Sequence, residues 1–164
     1  MASTEDSWVR DYLQPRYPEL VAPYLRALHA SRSALVKGAL SPDVVQDLVE
    51  SARSRRTPLG ENVASMIGDL ANHFSAARDA IKSLACDPSV HVRINALVAL
   101  SSYAVSHLHE ELLSAALTDR SARVRALAAD KIMSMDLRQL VPTLETAIAR
   151  ESKPELRATL EWER

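Results

Sequence analysis

The chain has one cysteine, three glycines, and aromatic residues at only 4% of its 164 positions. Each scarcity closes off a class of answer. A single thiol, Cys86, leaves no partner for an intrachain disulfide and fits a reducing compartment. There is no phosphate-cradling glycine loop, no nucleophile elbow and no zinc-protease helix motif. Neither sign of charge dominates. The formal net charge is −1, which predicts no long-range pull toward polyanions and counts against a nucleic-acid module. No apolar run approaches the length of a membrane span, and the acidic opening Met1 to Asp6 does not have the form of a signal peptide. The cytoplasm is the expected location, with no attachment to a membrane.

What remains is a chain 47% hydrophobic, rich in Ala and Leu, with Arg well in excess of Lys. That composition favours an all-α fold. Three stretches return with a fixed period of 32 residues: Asp87-x4-Val92-Arg93, Asp119-x4-Val124-Arg125 and Glu151-x4-Leu156-Arg157. Apolar slots keep the same step. Ala76, Leu108 and Leu140 coincide, as do Ala80, Leu112 and Leu144, then Leu84, Ala116 and Ile148, and finally Ala96, Ala128 and Leu160. A period of this size is the signature of an architecture in which each unit packs on its neighbours. Helices are predicted over about 74–86 and 90–103, 107–118 and 122–135, and 138–150 and 154–164. Polar joints separate the two helices of each unit. Asp136 is predicted to cap the helix opening at Leu137, and Pro154 sits at a first helical turn. Upstream, Ser41-Pro42-Asp43 opens another helix that ends at Arg53-Ser54-Arg55-Arg56, followed by Val63, Met66, Ile67, Leu70 and Phe74 at helical spacing. This earlier unit matches the later ones with a step of 33 and lacks their acid and arginine.

The repeated pattern resembles the HEAT-repeat family. The resemblance implies a short right-handed α-solenoid of antiparallel helix pairs spanning 1–164. It would comprise about four repeats (41–73, 74–105, 106–137 and 138–164) and an N-terminal cap or degenerate repeat over 1–40. That first segment holds Trp8, Tyr12, Tyr17 and Tyr24, and its Leu20–Leu28 stretch reads like another first helix. Its aromatics fit either a cap or an interface.

The recurring acid and arginine invite a catalytic reading, but one acid and one arginine in every unit is the arrangement of a scaffold. Asp87, Arg93, Asp119, Arg125, Glu151 and Arg157 are expected to form a structural ladder of charge-assisted hydrogen bonds from unit to unit. No metal site is expected. His107 and His109 diverge by about 200° on a helix, and no other histidine has ligands at diagnostic spacing. Histidines are expected to face solvent. No catalytic residue and no cofactor is expected, and Cys86 has no histidine placed to activate it.

In the resembling family the second helices line a concave face. The exposed candidates there are His91 and Asn95, then Arg123, Leu127, Asp130 and Lys131, with Ser102, Glu155 and Thr159 alongside and Trp162 near the end. Their mixed charge suits a protein partner better than a phosphate backbone. The resemblance therefore implies a non-enzymatic scaffold or adaptor, for instance a bacterial assembly factor or a toxin-immunity protein, with self-association through a solenoid end as a further option. Two alternatives stay open. One is nucleic-acid binding in the manner of the HEAT-like alkylpurine DNA glycosylases; the other is a module like those of the HEAT-like chromophore lyases.

Overall fold

The computed structural model describes residues 8–101 and 107–151 together with Pro154 and Arg157, and among these residues there is no strand. A π-helical turn over Val9–Leu13 and a short piece over Gln14–Arg16 lead into α1 (Pro18–Lys37). Then follow α2 (Pro42–Ala52), α3 (Thr57–Ala71), α4 (Ser75–Ala85), α5 (Val90–Ala99), α6 (His107–Ala116), α7 (Ala122–Ser134), a 3-10 turn (Arg138–Leu140) and α8 (Val141–Arg150). Pro154 and Arg157 are both helical.

Local chemistry sets the helix ends. α1 starts on Pro18, whose missing N–H costs nothing in a first turn, and stops at Gly38, with φ of +63°. α2 begins where the Ser41 hydroxyl accepts from the Val44 N–H at 3.4 Å, with Pro42 in the first turn. Just before α5 and α7 the repeated acid folds back on the joint and holds the residue that precedes the helix. Asp87 Oδ1 accepts from the Ser89 N–H at 2.8 Å, and Asp119 Oδ1 from the Ser121 N–H at 2.7 Å.

Asp136 has a different role from the expected one. It ends α7 rather than opening the next helix: its φ is +52°, its N–H donates to Met133 O at 3.1 Å, and the Leu137 N–H donates to Ile132 O at 2.9 Å. This is the reversed hydrogen-bond pair of a left-handed helix stop, and Leu137 and Ile132 are both buried. The Asp136 carboxylate instead meets Arg138 Nε at 3.1 Å.

Substantial contacts run between helices one or two apart in the chain. α3 packs on α1, α2, α4 and α5, α5 packs on α7, and the even helices α2, α4 and α6 touch in succession. α1 packs more extensively on α3 than on α2. It therefore stands beside the second helices of the later units, not in the first-helix place its Leu20–Leu28 stretch suggested. The apolar slots of the 32-residue period point into the shared core: Leu84, Leu112, Leu144, Val92, Val124, Ala96 and Ala128 are all buried. Ala96, Ala99, Ala128 and Ala129 are fully enclosed. Small side chains there let the helix axes approach while Leu97, Leu113 and Ile132 fill the space between.

Candidate interaction surfaces

The joints between paired helices lie along one edge, and hydrogen bonds connect them in sequence. Arg93 Nε and Nη2 donate to Asp119 Oδ2 and Oδ1 at 2.7 and 2.8 Å, a two-pronged pairing. Its Nη1 donates to the carbonyls of Asp87 and Pro88 at 2.9 and 3.0 Å. One unit on, Arg125 Nε and Nη2 both reach Glu151 Oε2 at 2.8 Å while Nη1 donates to Asp119 O at 2.8 Å. Arg157 donates to the carbonyl of Glu151. Each arginine thus grips the joint of its own unit, and Arg93 and Arg125 also hold the acid of the next. Arg93 and Glu151 are buried. The hydrogen bond from Arg93 holds the Asp119 carboxyl below the usual carboxylate range.

Arg53 supplies a rung that the periodicity does not show. Its Nε donates to Asp87 Oδ2 at 3.2 Å and its Nη1 to Glu50 Oε1 at 2.7 Å. It comes from the end of α2, not from a second helix, so its spacing to the acid differs from that of the other rungs. In the earlier unit, the slot that Arg93 and Arg125 occupy falls on Gly60 when the step is 33. A Cβ added at Gly60 would stand 2.6 Å from Ser54 O and 2.7 Å from Asn95 Nδ2. The glycine is required by this close approach, and the arginine has moved to the preceding turn. The acid's need for a cation was the available signal.

His91 and Asn95, expected on an exposed face, are turned inward onto that same joint. Asn95 is fully buried and its Nδ2 donates to Ala52 O at 2.7 Å. His91, half-buried, has Nε2 2.7 Å from Ser54 O. A carbonyl only accepts, so Nε2 carries the proton. The two side chains complete the carbonyls at the end of α2, which a helix terminus leaves without partners. Among the described residues Asn95 Oδ1 has no hydrogen-bond partner.

The other candidates lie on α7. Arg123 and Asp130 are exposed, Leu127 is half-buried against the core, and Lys131 is half-buried with its ammonium on Ser101 Oγ. Burial lowers the Lys131 pKa from its ordinary value. Trp162, Ser102, Glu155 and Thr159 lie outside the described residues.

The histidines divide. His109 is fully buried, with Nε2 3.0 Å from Leu100 O, against the expectation that histidines face solvent. Its neighbour His107 is exposed and 3.6 Å from Glu110. Among the described residues no three metal-ligating side chains converge. Cys86 is an exposed free thiol at the end of α4. No helix among the described residues is long and apolar enough to cross a membrane.

At the N-terminal end Trp8 stacks on Tyr12 with ring centres 5.5 Å apart and tilts against buried Tyr24 at 4.9 Å. The Arg16 guanidinium lies 4.7 Å from the Tyr12 ring centre. Trp8, Tyr12 and Tyr17 border the first turns of α3 at Pro58, Glu61 and Asn62.

No protein-family model, no curated protein and no solved structure matches the chain.

Proposed function

We propose that the chain is a short HEAT-like α-solenoid acting as a non-enzymatic scaffold that binds a partner protein through the row formed by its second helices. One observation carries the reading. Helices contact neighbours one and two places along the chain, and the Arg–acid rungs tie successive joints in register. Such a stack holds its second helices side by side and turns one long face to solvent, the arrangement by which helical-repeat proteins present extended binding surfaces.

On that face α7 offers Arg123 and Asp130 around the half-buried Leu127, an apolar centre with charge of both signs at its rim. That composition fits a protein surface, whereas a phosphate backbone asks for a uniformly basic stripe. α5 contributes less than its sequence suggested, because His91 and Asn95 are committed to the α2–α3 joint.

The test is a paired capture. The wild type and an Arg123→Glu/Asp130→Lys variant, matched by circular dichroism and melting temperature, are immobilised and exposed to lysate of the source cell. The dominant captured protein is then purified and titrated against both forms. A partner that binds the wild type and is weakened at least tenfold by the charge reversal supports the reading. A partner indifferent to the reversal, or a salt-labile nucleic-acid fraction in its place, refutes it.

A further inference from the structure

The joint edge carries more positive charge than the ladder uses. Its carboxylates, Asp87, Asp119 and Glu151, are taken by Arg53, Arg93 and Arg125, and Glu50 beside them is held by Arg53 as well. Four further arginines stand on the same edge: Arg55 and Arg56 in the α2–α3 joint, Arg120 in the α6–α7 joint, and Arg150 where α8 ends. All four are exposed, and none forms a salt bridge among the described residues. In a chain whose formal net charge is −1, this concentrates an unneutralised positive strip along one line of joints.

The strip also has relief. A shallow, open depression of about 480 Å³ separates the α4–α5 joint from the α6–α7 joint, with Cys86, Pro88 and Arg120 beside the ladder residues Asp87, Arg93 and Asp119 on its walls. Arg120 Nη2 donates to Pro88 O at 2.6 Å across it, which fixes the guanidinium at the rim. The corresponding cleft one unit later, about 410 Å³, runs between Thr118 and α8, with Leu117 and Ala147 giving an apolar surface and Arg150 at its mouth. Cys86 and Thr118 occupy the same slot of the 32-residue period, so the two clefts are repeats of one feature.

We propose that this edge binds an extended acidic polypeptide segment, its carboxylates on the exposed arginines and a small apolar side chain in the cleft beside α8. Guanidinium groups suit the task because their planar fork matches a carboxylate two-pronged. Spacing agrees as well. Packed helices lie about 8–10 Å apart, and an extended chain rises about 3.3 Å per residue, so carboxylates at every third residue keep step with the joints. A nucleic acid fits less well. The cleft beside α8 offers the apolar wall of Leu117 and Ala147 where a polyanion needs charge. This edge is separate from the α7 face, and the proposal stands whether or not that face binds a partner.

The test uses the full chain and a fluorescein-labelled peptide of four Asp-Val-Ser units, followed by fluorescence anisotropy at low and moderate salt. The expected result is saturable binding that weakens with salt and is lost for the Asn-Val-Ser peptide. A quadruple variant, Arg55→Glu, Arg56→Glu, Arg120→Glu and Arg150→Glu, then weakens binding at least tenfold, while Arg123→Glu/Asp130→Lys leaves it unchanged. Should the quadruple variant melt early, Arg150→Glu alone, whose side chain makes no hydrogen bond among the described residues, carries the test with a smaller expected loss of at least threefold. No saturable binding by the wild type, equal affinity in a folded variant, or preference for labelled oligothymidylate over the peptide overturns the proposal.

Discussion

Arg93 and Asp119 join two helical units through both prongs of a guanidinium, at 2.7 and 2.8 Å, while the third nitrogen of Arg93 closes the carbonyls of its own joint. The arginine is 6% exposed, so its charge has little water to fall back on. Removing one partner of such a buried pair costs about 3–5 kcal/mol, and here Asp119 would keep only the Ser121 N–H to offset part of that. Arg93→Ala is therefore expected to lose most of that amount in urea unfolding, with an unchanged denaturant slope. Arg93→Lys keeps the charge but not the fork, and should fall between. A loss below about 1 kcal/mol for the alanine variant would show that water replaces the rung at little cost.

The same rung predicts an acid limb. Its hydrogen bond from Arg93 lowers the Asp119 pKa from the ordinary value of 3.8. As pH falls the unfolded chain takes up this proton before the folded one does. The stabilisation is complete above 3.8 and is lost as pH drops toward the lower folded value. Urea midpoints measured from pH 6 downward should fall more steeply for the wild type than for Asp119→Asn in that window. Parallel curves for the two proteins would remove Asp119 from the account.

Gly60→Ala should destabilise although alanine is the better helix former. The new methyl would sit 2.6 Å from a backbone oxygen, which cannot swing aside as the end of a side chain can. Helix propensity alone predicts a gain of up to about 1 kcal/mol, so the sign of the change decides between the two effects. A higher melting temperature would mean that the α2–α3 joint yields freely.

Asn95 gives a second reading of that joint. Asn95→Asp keeps the shape but replaces the donor facing Ala52 O with an acceptor, and buries a carboxylate there. Asn95→Ala removes the whole amide, leaves Ala52 O without its donor, and costs about 1–3 kcal/mol. The aspartate variant should unfold earlier than the alanine variant at pH 7, and the gap should narrow on acidification as the carboxyl takes up a proton. An aspartate variant as stable as the wild type would place solvent at this site.

Ala128 has no exposed surface, and a leucine there must displace the neighbouring helix or adopt a strained rotamer. The expected loss is about 1–3 kcal/mol for Ala128→Leu, read from thermal melts. An unchanged melt would show slack between α5 and α7.

The helical character of this chain was legible in its sequence because helix formation is largely local. Apolar residues recurring at helical spacing, and Ser41 and Pro42 at a start, act through groups within a turn or two of each other. The repeated acid and arginine were legible for a related reason: three copies at one period mark them without any knowledge of their partners. What only the tertiary structure decided were the meetings between units. Arg53 takes the place of the absent second-helix arginine because Gly60 brings α3 too close to the Ser54 carbonyl and Asn95 for a side chain to fit. His91 and Asn95 look like surface residues in a helical pattern, yet they turn inward because the end of α2 exposes carbonyls that need donors. Asp136 reads as a helix start and serves as a helix stop, since the left-handed turn it adopts puts Leu137 into the core. α1 reads as a first helix and stands in the row of second helices, because its apolar face finds more to bury against α3 than against α2. Local periodicity determines that a segment is a helix and which side is apolar; which neighbour covers that side depends on how closely the next helix can approach.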